Sequence, residues 1–163
     1  MRNRTPTFIA VLAVALLAAA CATTTSPLVT AQKTMAASLH TVTAVLQADY
    51  DAAASCRALG TAVNGMCSPM EKVFPGAHKI ANDLRELYPP ALTEVNGFTV
   101  IYQTALATQV ALQASKSATA DQLAAANAAV TSSWEAVAAS LAKLAVYTTQ
   151  AETVWSAWKG GVK

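Results

Sequence analysis

Residues 121–158 read DQLAAANAAVTSSWEAVAASLAKLAVYTTQAETVWSAW. Within them Leu123, Ala126, Val130, Trp134, Val137, Leu141, Leu144, Thr148, Ala151, Trp155 and Trp158 follow one another at spacings of three or four. An α-helix turns once every 3.6 residues, so these side chains share one stripe for about ten turns. A repeat averaging about 3.5 residues, sustained this long, is the seam of helices that wrap around one another. Thr119 and Gln122 stand in front of the stripe at the spacing of a capping box, which marks where the helix starts.

The segments upstream follow the same rhythm. Roughly Pro90 to Ser117 places Ala91, Val95, Phe98, Tyr102, Ala105, Gln109 and Leu112 on one face, with Gly97 as its weak point. Before it, Met70, Val73, Ala77, Ile80, Leu84 and Leu87 keep a 3-4-3-4-3 spacing across Pro75-Gly76. A proline inside a helix removes a hydrogen bond and clashes with the preceding turn, which predicts a kink or short break at Phe74-Pro75 and a stop at Pro89-Pro90. Ser68, Pro69 and Glu71 open this segment as cap, first helical residue and capping partner. The first segment starts at Ser26-Pro27, carries Met35, Leu39, Val42, Leu46, Tyr50 and Ala53, and should end near Leu59-Gly60.

No stretch shows the sustained apolar-polar alternation of a half-buried strand. The fold class is therefore all-α, and four segments joined by short connections predict an antiparallel up-down-up-down four-helix bundle with a kinked second helix. The chain has 163 residues, of which 54% are hydrophobic and 12% charged, with a formal net charge of +2. That suits one modest domain and excludes an acidic tail, a disordered polyelectrolyte and a strongly basic nucleic-acid binder.

Arg2 and Arg4 precede the uncharged run from Phe8 to Ala20, which closes on small residues. This is the three-part layout of an export signal. The run rises only about 20 Å as a helix, short of the roughly 30 Å hydrocarbon core, and Ala22 to Pro27 behind it lack a positive stop. Leu16-Leu17-Ala18-Ala19-Ala20-Cys21 resembles the lipobox of bacterial lipoproteins, although Ala18 stands where Leu is most common. The resemblance implies that Cys21 is acylated and becomes the new N-terminus. Ala22, being non-acidic, implies sorting to an outer membrane. The same small residues also allow ordinary signal-peptidase cleavage at Ala18-x-Ala20 or Ala20-x-Ala22.

The expected organisation is thus a signal peptide at 1–20, an acylated cysteine and tether at 21–27, a helical bundle domain at 28–159 and a C-terminal tail at 160–163. Removal of 1–20 takes Arg2 and Arg4 from the eleven cationic residues and leaves nine against nine acidic ones. A neutral domain with no basic cluster argues against nucleic acid and against a polybasic lipid contact, leaving the acyl chains as the membrane attachment. Once Cys21 is modified two thiols remain. Cys56 and Cys67, eleven residues apart, read as a disulfide in an oxidising compartment, and closing that loop restricts the unfolded chain by about 3 kcal/mol.

His40 and His78, the two histidines, fall outside the apolar stripes and read as surface imidazoles. A shared metal or haem would require them on facing sides of an antiparallel pair. No HExxH, CxxC or CxxCH accompanies them, so neither a metal nor a cofactor is expected. Asp49 and Asp51, two apart on a helix, point in different directions and form no catalytic pair. Without a GxSxG elbow, a phosphate loop or a Cys-His nucleophile pair, the chain reads as a non-enzyme.

Trp155 and Trp158 close the long seam, which reads first as packing at the bundle end. Four alternating helices would bring that end beside the start of the first helix, about six residues from Cys21 and so within roughly 20 Å of it. The indoles, with Lys159 and Lys163 beyond them, would then face the membrane interface. The functional expectation is a lipid-anchored envelope protein with a structural or interaction role, its partner an envelope protein, a peptide in a helical groove or a second copy. Two alternatives stand beside it: a bundle that holds an apolar ligand such as a lipid or haem, and an envelope lipoprotein of a phage or mobile element acting in lysis or exclusion.

Overall fold

The computed structural model describes residues 26–61 and 69–161. Among the described residues there are four helices and no strand: α1, Pro27–Ala58; α2, Pro69–Val73; α3, Ala77–Ala114; and α4, Ala120–Gly161. Pro27 occupies the first turn of α1, where its missing N–H is not needed. Ser26 has the extended backbone of a cap, but its side chain makes no capping bond. Gly60, at a φ of 63°, closes α1. The Gly60 N–H donates to the Arg57 carbonyl and the Thr61 N–H to the Cys56 carbonyl, the paired bonds of a left-handed helix stop. At the start of α4 the Gln122 N–H donates to Thr119 Oγ1 and the Thr119 N–H to Gln122 Oε1, completing the capping box.

The expected second and third helices are divided differently. Helix α2 ends at Val73 and α3 begins at Ala77, so the interruption falls at Phe74 to Gly76. Pro89-Pro90, the expected stop, lies inside the 38 residues of α3. The two prolines are exposed. The carbonyls they leave without a helical donor belong to Arg85 and Glu86, whose residues are also exposed and open to water. On the other side Leu84, Tyr88, Leu92 and Val95 are buried, and this packing holds the helix through a locally unfavourable pair.

The count of long helices therefore drops from four to three, and their directions follow. Helices α3 and α4 run antiparallel: Glu94 pairs with Lys143, Tyr102 lies against Trp134 and Gln109 Nε2 donates to Asn127 Oδ1. Helices α1 and α3 are antiparallel too, as Asp49 meets Arg85 while Leu28 packs in one cluster with Tyr102. Helix α1 is then parallel to α4, with Leu28 near Val137 and Ser38 bonded to Thr148. This replaces the up-down-up-down arrangement. The C-terminal end of α4 lies beside the end of α1, not beside its start.

A buried hydrogen-bond chain joins all three long helices at mid-height. Tyr88 Oη donates to Ser38 Oγ at 3.0 Å, Ser38 lies 2.6 Å from Thr148 Oγ1, and Thr148 donates to the Leu144 carbonyl. Since Thr148 spends its proton on that carbonyl, Ser38 is the donor between the two hydroxyls. The main core surrounds this chain and includes Val42, Val45, Leu84, Val95, Leu144 and Val154.

Candidate functional site

The end of the bundle away from Pro27 is built from all four helices. The last turns of α1 supply Ala52, Ser55, Cys56 and Leu59, α2 supplies Pro69, Glu71 and Lys72, the first turns of α3 supply His78, Lys79, Asn82 and Asp83, and α4 supplies Trp158. These residues line a cleft of about 970 Å³. Its apolar part is formed by Ala52, Leu59, Pro69 and Trp158, and its rim carries charges of both signs.

Glu71 organises this end by a route that its expected bond to Ser68 does not describe. Its Oε1 accepts the Gly76 N–H at 2.6 Å and its Oε2 accepts the His78 N–H at 2.9 Å. One carboxylate thus caps α3 across the break, where Gly76 takes a φ of 89°. The bonds from His78 and Gly76 favour the charged form and hold the Glu71 carboxyl below its ordinary pKa. Ser68 itself lies outside the described residues.

A polar chain runs from the rim into the core. His78 Nε2 lies 3.2 Å from Asn82 Nδ2, Arg85 Nη1 donates to Asn82 Oδ1 at 2.8 Å, and Arg85 Nη2 donates to Asp49 Oδ2 at 2.5 Å. Arg85 fixes the Asn82 amide, so that its NH2 donates to His78 and the imidazole accepts at Nε2. Asp49 is only 3% exposed, and its Oδ1 has no hydrogen-bond partner among the described residues. Lys79 and Asp83 form an exposed ion pair one turn away.

Cys56 is buried and disulfide-bonded. Cys67, its expected partner, and Cys21, the expected lipidation site, both lie outside the described residues, as does Lys163. Trp155 and Trp158 are partly buried and pack against the main core, with the Lys159 ammonium 4.6 Å from the Trp155 ring centre. The topological argument for placing them at the membrane falls with the four-helix count, because they sit at the end remote from Pro27.

His40 and His78 are both exposed. Helices α1 and α3 are antiparallel, and the Asp49–Arg85 pair sets their register. That separates the two imidazoles by more than roughly 20 Å along the axis, too far for one metal or haem to bridge. Among the described residues no group of three or more His, Cys, Asp or Glu is arranged to hold a metal ion. Sequence reasoning missed Glu71's forward cap and the Asp49–Arg85 pair. The one available signal was that Ser38, Val45 and Asp49 continue the spacing of Leu28, Ala31, Met35 and Val42 as well as the apolar neighbours chosen instead. No known protein family matches the chain, and no curated protein or solved structure resembles it.

Proposed function

We propose that this protein is an exported, lipid-anchored component of a bacterial envelope, attached through acylated Cys21, sorted to the outer membrane and acting by binding a protein segment in the cleft. The observation that carries the reading is the cleft itself, which all four helices line with apolar Ala52, Leu59, Pro69 and Trp158 beside charged Glu71, Lys72, Lys79 and Asp83. Apolar and charged side chains of both signs side by side suit an amphipathic peptide, whose greasy face meets the first group and whose polar face meets the second. A Cys56–Cys67 bridge would fasten the cleft's α1 wall in an oxidising compartment. No described helix is long and apolar enough to cross a membrane.

The test is capture from envelope extracts with the acylated protein, a Cys21→Ser control and a Leu59→Glu variant placing a charge among the cleft's apolar side chains. A specific partner that binds the acylated protein and is lost with Leu59→Glu supports the reading. A partner retained by Leu59→Glu moves the binding surface elsewhere. The cleft's volume also lies in the range of small-molecule sites. An apolar ligand co-purifying in native mass spectra, and displaced by Leu59→Glu, would replace the peptide with a lipid-like molecule.

A further inference from the structure

Helices α3 and α4 continue well past the start of α1. Counted from the Ser38–Thr148 bond, α4 has about 28 residues to its beginning at Ala120 and α1 about 11 to Pro27. At 1.5 Å per residue the hairpin overhangs α1 by roughly 25 Å as a two-helix arm. Val100 and Val110, at and beyond its base, are 60% and 56% exposed, and ten residues apart they lie within about 80° of each other around α3. From Asn96 to Ser133 the chain carries only Lys116 and Asp121 as charges, whereas Asp49 to Glu86 carries nine.

We infer that this arm rests on the lipid surface, the low-charge side that carries Val100 and Val110 against the bilayer. The inference rests on the lipid-anchored reading above and adds to it which part of the protein meets the membrane. With Cys21 at the interface, the tether to Pro27 spans no more than roughly 20 Å. A bilayer beyond the cleft end is out of reach, since the 32 residues of α1 alone extend about 48 Å in that direction. An upright rod with the arm pointing down does not fit either, because the overhang exceeds the tether. The rod must lean or lie. Of its two ends the arm carries two charges and the cleft end ten, the nine between Asp49 and Glu86 and Lys159 on α4, and charged side chains are costly to bring against hydrocarbon. The arm goes down, and the cleft stays open to the aqueous side.

Acylated protein carrying bimane at Val110→Cys or Val100→Cys, compared with Lys72→Cys, is mixed with phosphatidylethanolamine–phosphatidylglycerol vesicles containing nitroxide-labelled lipid. Flotation and the mass of the N-terminal peptide are measured on the same samples. The expected result is loss of about half the fluorescence at positions 110 and 100, with little change at 72. Protein that is acylated and floats, yet is quenched equally at all three positions or most at 72, overturns the arm contact and leaves the anchor standing. Protein that lacks the acyl chains and does not float overturns both. Bimane at 110 already shielded without vesicles, together with a dimer in sedimentation, assigns the arm to a second copy and overturns the lipid contact.

Discussion

The arm and the cleft end are built on the same two helices, α3 and α4, and differ in what a third element does. At the cleft end α1 and α2 close over the hairpin. There the chain concentrates its charges, a disulfide-bonded cysteine, a proline-glycine break and a carboxylate cap. Along the arm no third helix arrives among the described residues, and between residues 103 and 133 only Ala126 and Ser133 are buried. Alanine and threonine cover the rest, which keeps a two-helix arm helical by propensity without giving it much core. Burial and charge therefore concentrate at one end, while the other presents a long surface of low charge.

That contrast breaks if the arm carries as much stability as the core. Leu144→Ala, at a site buried among all three long helices, should cost about 2–5 kcal/mol by cavity formation. Leu106→Ala, half-buried at the base of the arm, should cost under about 2 kcal/mol because the space it leaves is open to solvent. Chemical denaturation of both variants measures the difference, and equal losses would show that the arm is part of the main cooperative core. Removing the covalent closure comes next in size. Cys56→Ser should cost about 2–4 kcal/mol on the loop-entropy account, and the hydrogen exchange it releases should be confined to the end of α1, α2 and the first turns of α3.

How far these regions were legible from sequence depends on whether a local rule decided them. The Gly60 stop and the Thr119–Gln122 box are local and appear where the pattern puts them, and the α4 seam does so at Ala126, Val137, Leu144 and Ala151, while Ser133, Ser140 and Val154 are buried in place of their neighbours Trp134, Leu141 and Trp155. Pro89-Pro90 is the opposite case. Its local preference is to end a helix, and packing of Tyr88, Ala91 and Leu92 on the far side overrides it. One misplaced stop changes an even number of long helices to an odd number, which turns α4 from antiparallel to parallel with α1 and moves Trp155 and Trp158 to the other end. The face of α1 was read from apolar residues alone, so Leu39 and Leu46 were preferred to the buried Ser38 and Asp49. Periodicity places such polar residues correctly, but only their partners on other helices, Tyr88, Thr148 and Arg85, explain why burying them is tolerated.

The hydrogen-bond chain at mid-height sharpens the comparison further, since it fixes how α1 slides against the hairpin. Tyr88→Phe removes one donor and leaves Ser38 bonded to Thr148, so the loss should be about 1 kcal/mol. Burial pushes the Tyr88 phenol above its ordinary pKa, while its bond to Ser38 partly opposes that shift. A pKa raised on folding means that the folded state holds the proton more tightly. This contribution to stability is whole below about pH 10, where the unfolded phenol is also protonated, and is lost as pH rises towards the folded value. Wild type should therefore lose stability above about pH 10 more steeply than Tyr88→Phe, which alkaline melting curves will show.

The smallest expected effect belongs to Glu71, because its carboxylate is exposed to solvent, which screens its contribution. Its direction is nonetheless opposite to that of Tyr88. Bonds from the His78 and Gly76 amides lower the carboxyl pKa beneath 4.5. The folded state therefore releases this proton more readily than the unfolded chain does. The contribution is present above the ordinary carboxylate range and disappears as pH falls through the folded value. Glu71→Gln keeps a side-chain oxygen as an acceptor but cannot ionise, so its melting temperature should follow a shallower acid limb than wild type, starting near pH 4.5. The loosening should be read at α3's first turn, where the amide of His78 loses its charged acceptor and exchanges faster at low pH in wild type. Arm amides around Val110 should not respond, because no carboxylate cap holds that region. Acid-dependent exchange spread equally over the arm and the cleft end would mean that Glu71 acts through global stability and not as the local fastening of α3 across the break.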